Sequence, residues 1–141
     1  MTGSAANLVG GERRVPANCE LTLGMRCVDR SEAGTAVWAM VAAEHMANPV
    51  GVVQGGLLTA FAVAAMSDAA RSSPNRREEL PAGSELKISF IKGAPVGEAL
   101  TCTARVIGGG RRVAFVEAEI TGSAHTLVAK ASSTYLLGPS A

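Results

Sequence analysis

The chain has 141 residues, which suits one domain with a single core. Hydrophobic residues make up 48% and charged residues 18%, a composition typical of globular rather than disordered proteins. A net charge of +1 argues against a surface devoted to nucleic acid, and no apolar run is long enough to span a bilayer. We therefore expect one globular domain that binds neither nucleic acid nor membrane.

The N-terminal segment and the cysteines bear on compartment. Residues 1–17 lack periodicity and are predicted to form a flexible arm without the features of an export signal. Cys19, Cys27 and Cys102 are an odd number at spacings that match no zinc site, and we predict buried free thiols. These features favour a cytoplasmic protein with residues 18–138 as its one domain.

Apolar and alternating runs predict the secondary structure in chain order. Alternation predicts a strand over residues 19–28, and a β-branched run predicts a second over 35–43. Fifteen residues without proline or glycine then predict an alanine-rich buried helix over 57–71. Four further strands, separated by turn residues, are predicted over 84–91, 100–107, 112–120 and 126–137.

The order of these elements is β-β-α-β-β-β-β. Short turns between consecutive strands predict an antiparallel sheet, and the one apolar helix has to bury itself against a face of that sheet. The predicted fold class is therefore α+β.

The segment NPVGVVQGG, residues 48–56, leads directly into the helix. Adjacent glycines let another molecule approach the backbone, and the first helical turn offers unpaired N–H groups with a partial positive charge. Such a helix start can bind a carbonyl oxygen that becomes an oxyanion. The same glycines are also compatible with no more than a tight turn and close helix packing.

The sequence resembles the hotdog-fold thioesterases of the phenylacetate-degradation (PaaI-like) type. Four parts carry this resemblance: this segment, the helix after it, the block SELKISFIKGAPVGEALTCTARVIGGGRRVAFVEAEI and the final LVAKASSTYLL. The resemblance covers roughly residues 19–137. It implies a long helix wrapped by a curved antiparallel sheet, in a homodimer or dimer of dimers with sites between subunits. It also implies hydrolysis of a thioester of coenzyme A or acyl carrier protein, with no cofactor beyond the coenzyme A of the substrate.

The resemblance also assigns roles to individual residues. The Gly55 amide would meet the thioester carbonyl, Gln54 would polarise or position the thioester, and Asn48 would orient the thioester or the attacking water. The coenzyme A-binding loops of the family match residues 90–95 and 108–113, whose basic side chains can meet phosphate oxygens. The residues predicted to bind substrate are Gly56, Phe90, Ile91, Lys92, Gly93, Ala94, Pro95, Gly110, Arg111 and Arg112.

The chain departs from the family nine residues after Gln54, where Val63 stands in place of a catalytic carboxylate. Ser67 lies one turn beyond Val63 on the same helix face and is a candidate for holding water. Asp68 is the nearest carboxylate on the helix, but five residues rotate a helix by about 140° away from the face of Val63.

Several alternatives follow from this departure. Asp68 or Glu44 takes over as acid or base, or hydrolysis is slow and relies on the helix start with a held water. Alternatively, the protein binds an acyl thioester without cleaving it. A dehydratase or isomerase on the same fold normally needs a histidine together with a carboxylate in the cleft, and this helix supplies no histidine.

Overall fold

The computed structural model describes residues 8–9, 12–13, 18–74 and 81–138. Two short strands, β1 (Leu8–Val9) and β2 (Glu12–Arg13), pair with each other. The predicted arm spans residues 1–17, and all of its residues except those of β1 and β2 lie outside the described residues. Within the described ranges, no helix has the length and hydropathy needed to cross a membrane.

One helix packed on a six-stranded sheet forms the body of the described domain. The helices are α1 (Asn18–Leu23) and α2 (Gly55–Arg71), with 3₁₀ turns at Glu44–Met46 and Ser123–His125. The strands of the sheet are β3 (Arg26–Asp29), β4 (Thr35–Val41), β5 (Ala82–Phe90), β6 (Ala99–Gly109), β7 (Val113–Thr121) and β8 (Leu127–Leu136).

The strands lie in the order β3-β4-β6-β7-β8-β5, and every neighbouring pair is antiparallel. In chain order, β3 to β8 with α2 read β-β-α-β-β-β-β, so the predicted order and the α+β class are confirmed. Among the described strands, β5 pairs with β8 alone, so it forms one edge of the sheet.

The predicted strand over residues 19–28 is wrong in its first half, where the structure has α1. This short helix ends at Gly24, which adopts a φ of +68°. The Gly24 N–H donates to the Leu21 carbonyl at 3.1 Å and the Met25 N–H to the Glu20 carbonyl at 2.9 Å, the two bonds of a Schellman motif. Leu21 is 62% exposed, so its alternation with Leu23 does not mark the buried face of a sheet.

The three cysteines are free, but they differ in burial. Cys102 is buried in the sheet, and burial raises the pKa of its thiol to about 12. Cys27 is half-buried and Cys19 is exposed. The prediction of buried thiols is therefore wrong for Cys19, which lies on α1 instead of on a strand.

α2 packs mainly against β4, β6 and β7. Small residues on both partners, such as Ala65 of the helix and Ala104 of β6, are fully buried and let the helix come close to the sheet. Phe61 and Met66 fill the remaining space, and burial of such a side chain contributes about 1.5–3 kcal/mol. The buried side chains of α2 are Leu58, Phe61, Ala62, Ala64, Ala65, Met66, Asp68, Ala69 and Ala70.

Asp68 fastens the C-terminal half of α2 to the sheet. One oxygen, Oδ2, accepts hydrogen bonds from Trp38 Nε1 and from an Arg30 guanidinium nitrogen, both at 2.9 Å. A buried carboxylate is stable only when it is paired and hydrogen-bonded. These two partners therefore explain why the core accepts an acidic residue at this position.

We expect Asp68→Ala to lower the free energy of unfolding by about 1–3 kcal/mol, because the Trp38 indole N–H would be buried without its acceptor. Arg30→Ala is the matched control. The Arg30 side chain is 56% exposed, so its removal is expected to cost less than about 1 kcal/mol. Urea unfolding followed by circular dichroism at one protein concentration measures both. Wild-type stability of the Asp68→Ala protein would contradict the structural role of this carboxylate.

Candidate active site

The turn that precedes α2 is shaped by Asn48. Its Oδ1 accepts hydrogen bonds from the N–H groups of Val50 at 3.0 Å and Val52 at 3.3 Å. Its own backbone N–H donates to the Val52 carbonyl at 2.8 Å, and Gly51 turns the chain with a φ of +87°. The side-chain oxygen of Asn48 therefore holds the turn in shape, and no described residue accepts a hydrogen bond from its amide nitrogen.

The first turn of α2 offers two open backbone donors. Gln54 is the N-cap residue, and its side chain makes no capping hydrogen bond. Its carbonyl accepts the N–H groups of Leu57 at 2.9 Å and Leu58 at 3.3 Å, whereas the N–H groups of Gly55 and Gly56 have no acceptor in the described part of the chain. Orphan N–H groups at a helix start combine with the helix dipole to favour negative charge. We call this pair the Gly55–Gly56 amides.

Two side chains lie directly on these glycines. A Cβ atom on Gly55 would lie 2.9 Å from Cζ of the Phe90 ring, and a Cβ atom on Gly56 would lie 2.7 Å from Oε1 of Gln54. The Phe90 side chain is nevertheless 54% exposed. The Gly55–Gly56 amides are thus flanked by an aromatic ring and a side-chain amide at a surface that a ligand can reach.

Residues 90–95 lie beside the turn that leads into the helix. The Val53 N–H donates to the Ala94 carbonyl at 2.9 Å, and Val52 forms an isolated antiparallel bridge with Pro95. The structure therefore brings together two of the predicted segments, residues 48–56 and residues 90–95. Phe90, Ile91 and Lys92 of the second segment have exposed side chains.

The third predicted segment, residues 110–112, lies at the opposite end of the helix. It forms the turn between β6 and β7, and Arg111 and Arg112 are exposed. The C-terminal end of α2 is tied to this end of the sheet, because the Gly34 N–H donates to Ser72 while the Gly34 carbonyl accepts from Val106. With 17 residues, α2 is about 25 Å long. One chain alone therefore does not place these arginines beside the Gly55–Gly56 amides.

A pocket of about 370 Å³ lies between α2 and β5. The helix contributes Val63 and Ser67, β5 contributes residues 83–86, and β8 contributes Ser133 and Tyr135. Ser67 Oγ and the Tyr135 hydroxyl are 3.0 Å apart. Tyr135 is 2% exposed, and burial raises the pKa of its phenol, so this hydroxyl stays neutral. Val63, 39% exposed, thus belongs to a pocket with hydroxyl groups on its wall.

Sequence reasoning missed Ser133 and Tyr135. Both lie within an alternating run that predicts a strand and nothing more. Their approach to Ser67 follows from the pairing of β8 with β5 and from the packing of α2 on the sheet.

The structure does not bring Asp68 to this pocket, since its carboxylate faces Trp38 and Arg30. Glu44, the other candidate acid or base, is exposed in the turn after β4. Over the described ranges, no three His, Cys, Asp or Glu side chains form a group that could hold a metal ion. We therefore leave Asp68 out of the candidate site and keep Asn48, Gln54, the Gly55–Gly56 amides and Ser67.

The comparison with protein families gives a match to the thioesterase superfamily over residues 50–129. No curated protein matches the chain significantly. Among solved structures, the PaaI protein from the phenylacetic acid degradation operon of E. coli superposes with a TM-score of 0.79 at 25% identity. That alignment covers 86% of this chain and 84% of the E. coli chain.

Two other solved structures are more similar in sequence. A conserved protein from Pseudomonas aeruginosa is 31% identical, with a TM-score of 0.77 over 86% of this chain and 94% of its own. A phenylacetic acid degradation-related protein from Ralstonia eutropha is 30% identical, with a TM-score of 0.77 over 86% of this chain and 92% of its own. The superfamily match over more than half of the chain, together with these structural likenesses, shows that the chain belongs to the thioesterase superfamily and has the hotdog fold of its PaaI-like members.

Proposed function

We propose that this protein hydrolyses an acyl thioester of coenzyme A or acyl carrier protein at the start of α2. The Gly55–Gly56 amides are the observation that carries the proposal. When water adds to the thioester carbon, the carbonyl oxygen gains negative charge before the C–S bond breaks and the thiol leaves. Donors that are already fixed in place stabilise this charge, and removal of one such donor typically lowers kcat about 10²–10³-fold.

Side-chain amides supply the remaining polar contacts of the proposed mechanism. The carboxamide of Gln54 lies against Gly56, within reach of a carbonyl bound at the helix start. The amide nitrogen of Asn48 is the group of that side chain not used by the turn, and it orients the thioester or the attacking water. Neither carboxamide takes up a proton at neutral pH, so both act by positioning.

Val63 makes this hydrolysis slow. It stands where the resemblance implies a carboxylate, and a valine side chain neither accepts a proton nor attacks a carbonyl. General acid–base help typically contributes about 10²–10⁴-fold. Ser67 lies one turn further along α2 and holds water without being a strong base. In our proposal the reaction therefore depends on oxyanion stabilisation and water positioning.

A second copy of the chain completes the proposed site across β5. This strand pairs with β8 on one side, and no described strand covers its other side, so its backbone groups are available for pairing. In a two-fold symmetric, antiparallel pairing, the C-terminal end of one α2 lies near the start of the other. Residues 110–112 of one copy are then brought toward the Gly55–Gly56 amides of the other.

This arrangement suits a substrate that carries phosphate groups. Lys92 follows Phe90 beside the helix start, and Arg111 and Arg112 of the second copy approach the same cleft. Exposed lysine and arginine side chains are suitable partners for phosphate oxygens. The thiol carrier in our proposal is therefore coenzyme A or the phosphopantetheine arm of a carrier protein.

Binding of an acyl thioester without cleavage is the second candidate function, and Val63 is the residue that favours it. A panel of acyl-CoA thioesters separates the two functions. Turnover above that of buffer supports the hydrolase, whereas binding of non-hydrolysable analogues without any turnover supports the binding protein.

We expect Gly55→Pro to lower kcat about 10²–10³-fold, because it deletes a donor at the helix start. Proline fits the first position of a helix, and the extended Gln54 backbone (φ −63°, ψ 136°) is compatible with a following proline. Gly55→Ala is the matched control, since it also places a Cβ against Phe90 but keeps the N–H. Equal kcat values for the two variants would contradict the role of the Gly55 amide.

We expect Val63→Asp to raise kcat about tenfold or more, because it restores a carboxylate on the exposed side of α2. Val63→Asn is the control, because asparagine has nearly the same shape as aspartate but is not basic. This control should give no comparable increase in kcat. Steady-state assays over the acyl-CoA panel measure both variants. Unchanged hydrolysis by Val63→Asp would show that position 63 does not face the reacting thioester.

We expect light scattering to give at least twice the mass of one chain, because the site needs a second copy across β5. Dilution below the dissociation constant of the dimer should lower the specific activity in step with the loss of mass. A monomer with full specific activity would overturn the two-subunit site while leaving the helix-start mechanism intact.

A further inference from the structure

The free edge of β5 has an apolar face and a polar face. The register of β5 against β8 shifts between Gly83 and Glu85 and is regular from there to the end of the strand. Ile88 pairs with the buried Ala131 of β8, and successive side chains point to opposite faces of a sheet. The residues of the face toward α2 are Leu86, Ile88 and Phe90. The residues of the opposite, polar face are Glu85, Lys87 and Ser89.

Two charged side chains of the polar face have no ion partner within the described part of the chain. Glu85 and Lys87 are exposed, and on β8 they lie opposite the neutral Thr134 and Ser132. Like charges directly opposite each other destabilise a strand pair. A strand that pairs with this edge is therefore disfavoured if it places a carboxylate opposite Glu85 or an ammonium group opposite Lys87.

A second copy that pairs about a two-fold axis sets one residue of β5 opposite the same residue of the other copy. Within the regular part of β5, an axis at Lys87 pairs residues 85–89 and an axis at Ile88 pairs residues 86–90. An axis at any other residue pairs a shorter part of the regular run. The axis at Lys87 is disfavoured because it sets two ammonium groups directly opposite each other. The axis at Ile88 sets each lysine opposite a serine hydroxyl.

An axis at Leu86 is the alternative that would satisfy the charges, because it sets Glu85 of each copy opposite Lys87 of the other. Ion pairs at an exposed edge contribute little, however. The axis at Ile88 instead sets Leu86 of each copy opposite Phe90 of the other. Phe90 is 54% exposed in the single chain, so covering two such rings removes far more apolar surface from water. Apolar burial therefore favours the axis at Ile88.

We propose that two copies pair along β5 with Ile88 on the two-fold axis, so that Phe90 of each copy packs on Leu86 of the other. This inference rests on the proposed function, because it specifies how the second copy completes the site. In its own chain the Phe90 ring lies against Gly55, and Leu86 lines the pocket that contains Val63. Phe90 then forms a wall shared by the Gly55–Gly56 amides of one copy and the pocket of the other.

Disulfide cross-linking tests this register without requiring turnover. Single cysteines are introduced along β5 in a chain that carries Cys19→Ser, because Cys19 is exposed. Only a residue on the axis meets its own copy at the distance that a disulfide spans, about 4.4–6.8 Å between Cα atoms. Under mild oxidation, we therefore expect Ile88→Cys to form covalent dimers at least about tenfold faster than its neighbours on non-reducing gels. The neighbouring variants are Leu86→Cys, Lys87→Cys and Ser89→Cys.

A double variant with Leu86→Cys and Phe90→Cys in one chain keeps the test decisive if Ile88→Cys folds poorly. We expect it to cross-link between copies, whereas each of its two single variants should stay uncross-linked. Faster cross-linking at residue 86, 87 or 89 than at Ile88 would overturn the inference, and so would failure of both Ile88→Cys and the double variant to cross-link. Turnover by the wild type is measured separately. A wrong register therefore leaves the proposed hydrolysis standing, and absence of turnover leaves the register standing.

Discussion

The site depends on two backbone amides that have no acceptor within the described part of the chain. Gly55 and Gly56 begin a helix whose later turns are packed on the sheet, and the N-cap residue Gln54 does not cap with its side chain. A serine, threonine or aspartate at that position would satisfy one of these donors with its own oxygen. Leaving the donors open sacrifices some helix stability and, in our proposal, lets an acyl oxygen take the role of the cap.

Several distant contacts hold these amides in position. Asn48 shapes the turn before the helix, and residues 90–95 brace that turn through Val53 and Ala94. At the other end of α2, Asp68 is bonded to Trp38 and Arg30 and ties the helix to the sheet. The helix start is thus a rigid part of the molecule, which is what preorganised stabilisation of an oxyanion requires. The carboxylate of the helix contributes to this rigidity.

The order of strands and the buried helix could be predicted because strands and helices each give a local periodicity of apolar residues in the sequence. The prediction failed at α1, since the exposed Leu21 and the half-buried Leu23 alternate before Gly24 and imitate a strand that the Schellman motif excludes. The segment that leads into the helix was recognisable because its residues are neighbours in the sequence, although α2 begins at Gly55 and not at residue 57 as predicted. The contact between Ser67 and Tyr135, 68 residues apart, depends on strand register and helix packing, and nothing local indicates it. The partners of Asp68 could not be predicted either, because these contacts also join residues that are distant in the sequence.

The central claim is that the Gly55–Gly56 amides bind the acyl oxygen, and amide NMR with two analogues of an acyl-CoA tests it most directly. One analogue replaces the thioester sulfur by methylene and keeps the carbonyl, and the other is a thioether without a carbonyl. We predict that the amide protons of Gly55 and Gly56 move downfield with the first analogue and not with the second. Equal shifts of these two amides with both analogues, while other residues report binding, would contradict the account.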